Sequence, residues 1–359
     1  MNGRERMTAV LRKQPRDRFS WTTIVDNATL SLVPEAHRGN GGIDFYKHIG
    51  CDIFLLDGWN TPHVFRSPEL CWPDWVETLV EQQDVTTTVA WKTPRGTLTA
   101  VSKAAHPIKY PVDSPAALAI YRDMWEGASY VPRDDAGTTA ALDGLIGDAG
   151  VYTRFWGPST IPRLLEVDMG MVGFYYMLAD YPAEVEGLIE TMHAKELAAF
   201  EILAHDACES ITLAENTSTY YISPAIYRRF NMPHQRDFVT ATKAAGKTAI
   251  LHMCGHVHGI LDLIKETGCD GIHALTPPPT GNTPWEDALD VLGDDLIIFG
   301  CLDPTVWVAG PIERIGAVLD AQVTPRLREG NFVLCPFADG IPVEPARFYA
   351  LAEWMARAG

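Results

Sequence analysis

The chain has 359 residues, of which 47% are hydrophobic and 21% are charged, and this is the composition of an ordinary globular protein. Acidic residues outnumber basic ones by 46 to 29, and the net charge of −17 argues against nucleic acid or a membrane surface as a partner. No apolar run reaches about 18 residues and the charged N-terminal segment lacks an apolar core, so neither a membrane-spanning helix nor a secretion signal is expected.

The cysteine content bears on the cellular compartment. An odd number of cysteines, spread over a large chain without a secretion signal, favours free thiols or metal ligands over disulfides. We therefore expect a cytoplasmic protein whose thiols stay reduced. The seven residues are Cys51, Cys71, Cys208, Cys254, Cys269, Cys301 and Cys335.

In chain order, a short helix over RERMTAVLRK is followed by strand candidates that alternate with amphipathic helical stretches. Several candidates are near-continuous apolar runs, which is typical of strands covered on both faces. Eight strands separated by helices predict an α/β fold, a single (β/α)8 TIM barrel, and no linker divides the chain, so one domain is expected over residues 1–359. The eight candidates lie near residues 19–25, 52–57, 150–156, 210–215, 248–254, 271–275, 296–301 and 332–337.

Two features of the helical and connecting segments add detail. The stretches over residues 182–205 and 223–246 are amphipathic; the first opens with Pro182, and the second opens with Ser223 as an N-cap. Residues 85–104 instead alternate polar and apolar side chains about a Pro-Arg-Gly turn. This pattern predicts an antiparallel β-hairpin inserted after the second barrel strand.

Chemistry in such barrels lies at the C-terminal ends of the strands. His252 and Cys254 stand at the end of the fifth candidate, and side chains two residues apart leave one face of a strand. Neutral imidazole and thiolate are preferred ligands of zinc. The alternative is a small buried thiol beside a histidine that is hydrogen-bonded to the backbone. Other polar groups at strand ends favour the metal site: Glu215, Asn216, His273, Cys301, Asp303, Cys335 and Asp339.

Aromatic residues gather near the same predicted strand ends. They suggest a pocket for a flat or apolar molecule, although packing between the barrel and its helices accounts for such residues equally well. These residues are Trp21, Trp59, Phe155, Trp156, Tyr220 and Tyr221.

Motifs along nearly the whole chain carry a resemblance to a known family. They are RERMTAVLRKQPRDR, GCDIFLLD, TPRGTLT, ISPAIYRRF, LHMCGH, GCLDP and FADGIP. In this combined order the chain resembles the uroporphyrinogen decarboxylase superfamily, which includes methylcobamide:coenzyme M methyltransferases and related corrinoid-dependent methyltransferases. The resemblance implies a single (β/α)8 barrel, in agreement with the strand count.

The decarboxylase branch of that superfamily fits poorly at two places. Its members grip acidic tetrapyrrole side chains with an arginine-rich N-terminal loop, where this chain has VDNATLSLVPEAHRG and offers only Arg38. They also carry a Gly-His-Gly-Ile element where this chain has Ala338-Asp339-Gly340-Ile341. Both differences argue against a porphyrinogen substrate.

The methyltransferase branch fits better, because its zinc-binding element resembles LHMCG. The resemblance implies that His252 and Cys254 bind zinc. The third family ligand is a cysteine where this chain has Asp339, and Cys335 stands four residues earlier. Three alternatives remain: Cys335 has taken over the role, which we favour; Asp339 is an oxygen ligand; or zinc has been lost.

The resemblance thus implies a zinc-dependent methyltransferase. It would move a methyl group between a small molecule and a corrinoid (methylcobamide or cobalamin) held on a separate protein, since the chain lacks an Asp-x-His-x-x-Gly corrinoid-binding element. The small molecule is expected to be a methoxylated aromatic or other apolar methyl donor, or a thiol acceptor. The predicted catalytic residues are Glu215, Asp339, Asp26 and His273; the predicted cofactor contacts are Asp57, Asp303, Trp156 and Tyr220.

Two other functions are also compatible with the sequence, and so is a homodimeric assembly. A metal-free decarboxylase or lyase of the same superfamily would use Asp26, Asp57 or Asp339 for acid–base chemistry on a non-porphyrin substrate. A non-catalytic corrinoid- or tetrapyrrole-binding protein is less favoured, because pure binding pockets seldom gather so many ionisable groups. A homodimer is compatible with all of these functions.

Overall fold

A computed structural model of the protein describes residues 1–358, which form two compact units. The first unit comprises residues 1–66, 134–156 and the described residues from Asp206 onward. The second comprises residues 67–133 and 157–205. The single domain expected over residues 1–359 stays a prediction.

The strands and helices of residues 1–358 are as follows. The strands are β1 Ser20–Trp21, β2 Ile53–Leu56, β3 Glu69–Cys71, β4 Glu77–Gln83, β5 Thr86–Thr93, β6 Gly96–Lys103, β7 His106–Lys109, β8 Ser129–Val131, β9 Gly150–Trp156, β10 Ser210–Ala214, β11 Thr248–His252, β12 Gly271–Leu275, β13 Ile297–Gly300 and β14 Phe332–Leu334. The helices are α1 Gly3–Leu11, α2 Asn27–Leu30, α3 Ile43–Ile49, α4 Pro115–Gly127, α5 Ala136–Ile146, α6 Thr160–Arg163, α7 Met171–Asp180, α8 Pro182–Ala204, α9 Pro224–Ile226, α10 Met232–Ala244, α11 Leu261–Thr267, α12 Trp285–Leu292, α13 Pro304–Trp307, α14 Glu313–Gln322, α15 Pro325–Glu329 and α16 Pro345–Ala358.

The first unit is built on a parallel eight-stranded sheet within the described residues, in the order β1-β14-β13-β12-β11-β10-β9-β2. The two ends of this order meet, since the Asp52 N–H donates to the Trp21 carbonyl at 2.9 Å and the Phe54 N–H donates to the Thr22 hydroxyl at 3.1 Å. The predicted α/β barrel of eight parallel strands is confirmed. In such a closed sheet all C-terminal strand ends face one mouth.

Each predicted barrel strand contains one observed strand, but six of the eight observed strands are shorter than expected. The first is regular only at Ser20–Trp21, with a single further bridge from Ile24 to Phe337. The fifth ends at His252 rather than at Cys254. Gly255 follows, and a Cβ there would lie 2.4 Å from the Ser218 Cβ, so the chain leaves the strand by passing close to the neighbouring loop. Strand alternation therefore does not fix the direction of the Cys254 side chain.

The core of the first unit combines α1 with the inner faces of the strands. Met7, Val10 and Leu11 of α1 are buried in one apolar cluster with strand residues such as Phe54 and Phe299. Burial of side chains of this size stabilises the fold by roughly 1.5–3 kcal/mol each. The predicted opening helix is therefore present, and it closes part of the barrel core.

The second unit contains an antiparallel sheet in the order β4-β5-β6-β7. The hairpin predicted over residues 85–104 is its centre: β5 and β6 pair from Thr86↔Lys103 to Thr93↔Gly96 about a Pro-Arg turn. Every residue of β4 and of β7 is exposed. Strands exposed on both faces need no alternation of polar and apolar side chains, so these two strands could not be predicted from hydrophobic periodicity.

The predicted helix starts are borne out locally. α8 begins at Pro182, and the Ser223 hydroxyl accepts a hydrogen bond from the Ile226 N–H at 3.2 Å as the N-cap of α9. The stretch over residues 223–246 is not one regular helix, because a π-helical turn over Tyr227–Asn231 separates α9 from α10. Among the described residues, no helix combines the length and apolar character needed to cross a membrane.

Candidate active site

The centre of the site is a pair of buried histidines on neighbouring strands. His252 ends β11, and His273 is its partner in the register of β12. Their Nδ1 atoms are 2.8 Å apart, a hydrogen-bond distance. His252 is 8% exposed and His273 is fully buried. Burial lowers the pKa of His252 to about 4 and holds the pKa of His273 well below its usual range, so both imidazoles are neutral near pH 7.

Cys335 extends this pair on the side of His273. It follows β14 directly, is fully buried, and its Sγ lies 3.8 Å from Nε2 of His273. Burial raises the pKa of the Cys335 thiol well above its usual value, and nearby Cys301 and Cys51 act in the same direction. In the metal-free protein Cys335 is therefore a protonated thiol.

Phenylalanine rings surround the two imidazoles. Phe155 packs edge-on against His252 with ring centroids 5.4 Å apart, and Phe337 stacks on His273 at 6.0 Å. Phe54 and Phe299 pack against His273 from the barrel core. This apolar lining excludes water from the histidine pair and strengthens the hydrogen bonds within it.

Cys254 lies in the loop after β11 and is exposed. Its Sγ lies 3.7 Å from the Asn216 side-chain carbonyl. The backbone N–H groups of Glu215 and Asn216 both donate to the His252 carbonyl at 3.1 Å, so the loop after β10 is fixed to the end of β11. Residues 215, 216, 252 and 254 therefore share one corner of the barrel mouth.

The Glu215 carboxylate is 1% exposed and is held by a partner on α10. Gln235 Nε2 donates to Glu215 Oε2 at 2.6 Å, and the Tyr227 hydroxyl donates to Gln235 Oε1. Gln235 was missed from sequence, because a single glutamine on a helix gives no signal until the fold brings it to the strand end. This contact fixes the orientation of the carboxylate.

Cys301, another thiol at a predicted strand end, follows β13 and is buried. Burial raises its pKa to about 12, while hydrogen bonding with the Phe337 backbone opposes this shift and the negative charge of a Cys254 thiolate adds to it. Cys254 and Cys301 are thus close enough to interact electrostatically at the barrel mouth.

Three of the four aspartates predicted from sequence each connect two segments through hydrogen bonds. Asp26 accepts from the N–H groups of Thr29 and Gly340, both at 2.7 Å. Asp57 accepts from the Arg154 side chain and the Phe155 N–H, both at 2.9 Å. Asp303 caps α13 through the Thr305 N–H at 2.8 Å and accepts from the Thr280 N–H at 2.7 Å. These contacts position loops at strand ends, and the predicted catalytic or cofactor roles of the aspartates stay predictions.

The remaining predicted residues lie on more open parts of the chain. Asp339 is exposed, and Trp156 is half-buried at the end of β9. Tyr220 is 79% exposed, and its ring lies 4.0 Å from the ring of His256. An exposed aromatic ring is a group that a flat ligand or a partner protein can cover.

Comparison with known proteins agrees with this architecture. Residues 156–344 match the family described as uroporphyrinogen decarboxylase (URO-D). The methylcobamide:CoM methyltransferase MtbA of Methanosarcina acetivorans is 26% identical over 145 residues, which cover 39% of this chain and 41% of that protein. MtbA of Methanosarcina mazei is 25% identical over 187 residues, which cover 49% of this chain and 45% of that protein.

The chain therefore spans less than half the length of the curated relatives that it matches. Among solved structures, a methyltransferase from Methanosarcina mazei covers the whole of both chains with a TM-score of 0.63 at 13% sequence identity, and this likeness shows the shared fold. The family match covers more than half of the chain and confirms the resemblance drawn from its motifs. The chain belongs to the uroporphyrinogen decarboxylase (URO-D) family.

Proposed function

We propose that this protein is a zinc-dependent methyltransferase that moves a methyl group between a small molecule and a corrinoid on a separate protein. Two distant relatives are methylcobamide:CoM methyltransferases, and this supports methyl transfer over decarboxylation. The observation that carries the proposal is the neutral, buried His252 beside the exposed thiol of Cys254 at one strand end.

The chemistry of these two side chains fits a zinc ion. His252 uses Nδ1 in its contact with His273, which leaves Nε2 as the nitrogen able to bind a metal. Burial keeps this imidazole neutral, the form that binds metals. The Cys254 thiol is accessible, and zinc binds imidazole nitrogen together with thiolate sulfur. Cys335 or Asp339 as the third ligand stays a prediction.

A bound zinc would supply Lewis acidity, either lowering the pKa of a thiol acceptor or polarising the oxygen of a methyl ether. The residues of the chain do the rest. Glu215, which Gln235 orients, would hold a proton or bind a polar substrate group. The Phe155 and Phe337 rings provide an apolar wall, which suits a methoxylated aromatic donor or another apolar molecule.

Tyr220 is proposed to stack on the corrinoid. Substituting Tyr220 by alanine should raise KM for methylcobalamin about fivefold, since stacking contributes about 1 kcal/mol, and should leave kcat near the wild-type value. Steady-state kinetics at several methylcobalamin concentrations measure this change. Tyr176→Ala is the matched control, because Tyr176 is also exposed (69%) but belongs to the second unit. Equal kinetic effects of the two substitutions would remove Tyr220 from the proposed contact.

The overall proposal is tested by following the absorbance of methylcobalamin after addition of the zinc-loaded protein and a small thiol. Demethylation of the corrinoid is expected, and it should stop when zinc is removed with a chelator. A protein that only binds corrinoids would shift the spectrum without breaking the carbon–cobalt bond. A metal-free lyase would leave the methylcobalamin absorbance unchanged, both with and without the chelator.

A further inference from the structure

The contact between His252 and His273 restricts which of their ring nitrogens carry protons. Two imidazole nitrogens at 2.8 Å must share one proton, because two N–H groups would repel each other and two lone pairs would form no bond. One Nδ1 therefore donates and the other accepts. No carboxylate contact to either ring is seen in the described residues, and a doubly protonated imidazole buried among phenylalanines would be costly.

Only two arrangements of protons remain for the neutral pair. In the first, His252 donates from Nδ1, His273 accepts at Nδ1 and carries its own proton on Nε2, which faces Cys335. In the second, the Cys335 thiol donates to Nε2 of His273, His273 donates from Nδ1, and His252 carries its proton on Nε2. The two arrangements differ at Nε2 of His252. This nitrogen has a free lone pair for a metal in the first arrangement and carries a proton in the second.

Resting on the proposed function, we propose that His273 is a positioning residue that holds His252 in the tautomer with a free lone pair on Nε2. Cys335, His273 and His252 then form a hydrogen-bond relay. At its far end, the Sγ of Cys335 accepts a hydrogen bond from Nε2–H of His273 at 3.8 Å. A hydrogen-bond partner on the second nitrogen fixes both the tautomer and the ring orientation of a metal-binding histidine. Here another histidine takes the place that a carboxylate or a backbone carbonyl usually fills.

The surroundings support a positioning role for both residues. His273 and Cys335 are each 0% exposed, so they lie deeper than His252 and Cys254. Loss of such a partner typically weakens metal affinity about 10- to 100-fold. Cys335 therefore acts on the metal through two imidazoles, in contrast to the direct ligand role predicted from sequence.

The test compares substitutions at His273. His273→Phe keeps a flat ring among Phe54, Phe299 and Phe337 but removes both nitrogens, and we expect it to weaken zinc binding about 10- to 100-fold. His273→Asn keeps an acceptor near the position of Nδ1 and should restore most of the affinity. Competition with a chromophoric zinc chelator measures these affinities, and thermal unfolding of each variant verifies its folding.

Two further measurements separate positioning from a general structural effect. In protein labelled with ¹⁵N-histidine, the metal-free wild type should show His252 protonated on Nδ1, and His273→Phe should shift it toward the Nε2-protonated form. Cys335→Ser, which keeps an acceptor, should bind zinc within about threefold of wild type, well short of the loss typical of a removed partner. Its cobalt-substituted form should keep the wild-type sulfur-to-metal charge-transfer intensity.

The possible failures are distinguishable. If His252→Ala and Cys254→Ser lose zinc while His273→Phe retains wild-type affinity and the wild-type tautomer, the relay is wrong and the proposed metal site stands. Loss of charge-transfer intensity in Cys335→Ser would make Cys335 a ligand and overturn its role in the relay. If none of these substitutions affects zinc, both the inference and the zinc-dependent function fail.

Discussion

Cys254→Ser is expected to lower zinc affinity by at least about 100-fold and to reduce methyl transfer to background. The loss of a ligand should exceed the 10- to 100-fold effect typical of a residue that only orients a ligand, because serine is a far poorer zinc ligand than thiolate. Elemental analysis of the purified protein and an assay of corrinoid demethylation measure the two effects. Folding should be unchanged, since Cys254 is exposed in the loop after β11.

The matched control is Cys269→Ser. Cys269 is a half-buried thiol that precedes β12 at the opposite, N-terminal end of the barrel strands. This substitution should leave zinc content and activity near wild type. Retention of a full zinc equivalent and of activity in Cys254→Ser would show that the exposed thiol is not part of the metal site.

Asp52→Ala is expected to lower the free energy of unfolding by about 3 to 5 kcal/mol, the cost of removing one partner of a buried ion pair. Asp52 begins the segment that carries β2, and its Oδ1 lies 2.5 Å from Nη1 of Arg6 and 3.0 Å from Nη2 of Arg18. The side chains of Arg6 and Asp52 are only 5% and 2% exposed. Removal of the carboxylate leaves the Arg6 guanidinium buried beside the junction of β1 and β2, with Asp17 as a partly exposed partner.

Urea unfolding of wild type and variant measures this loss. Glu209→Ala is the control, because Glu209 pairs with Arg12 at the surface, where the two side chains are 39% and 58% exposed. An exposed pair of this kind contributes at most about 1 kcal/mol. Similar losses for Asp52→Ala and Glu209→Ala would mean that the buried pair adds no particular stability to the barrel closure.

The barrel could be predicted from sequence because most of its strands are short, nearly continuous apolar runs followed by a helix. Segments such as residues 271–275 match the observed strand residue for residue. β4 could not be predicted in this way: its seven residues are all exposed, so apolar periodicity, the main signal available, is absent. The end of the fifth strand was also misplaced, because the turn at Gly255 depends on the adjacent loop at Ser218.

The candidate site shows the same limit. Its members at strand ends, His252, Glu215 and His273, could be named from sequence, because the barrel brings all strand ends to one mouth. Their contacts could not. The 2.8 Å approach of His252 to His273 depends on the register of β11 and β12, and the support of Glu215 by Gln235 depends on how α10 packs. The spacing of residues along the chain predicts neither the strand register nor the packing of the helix.

Zinc-dependent methyl transfer by this protein can be followed directly with a deuterated methyl group. Zinc-loaded protein is incubated with CD3-cobalamin and a panel of thiols, and in the reverse direction with reduced cobalamin and deuterated methoxy-aromatics, followed by mass spectrometry of the products. We expect at least one reaction to yield a product carrying all three deuterons, and we expect His252→Ala or chelation of zinc to abolish it. Absence of transfer in both directions, or transfer that persists without zinc, would contradict the proposed function.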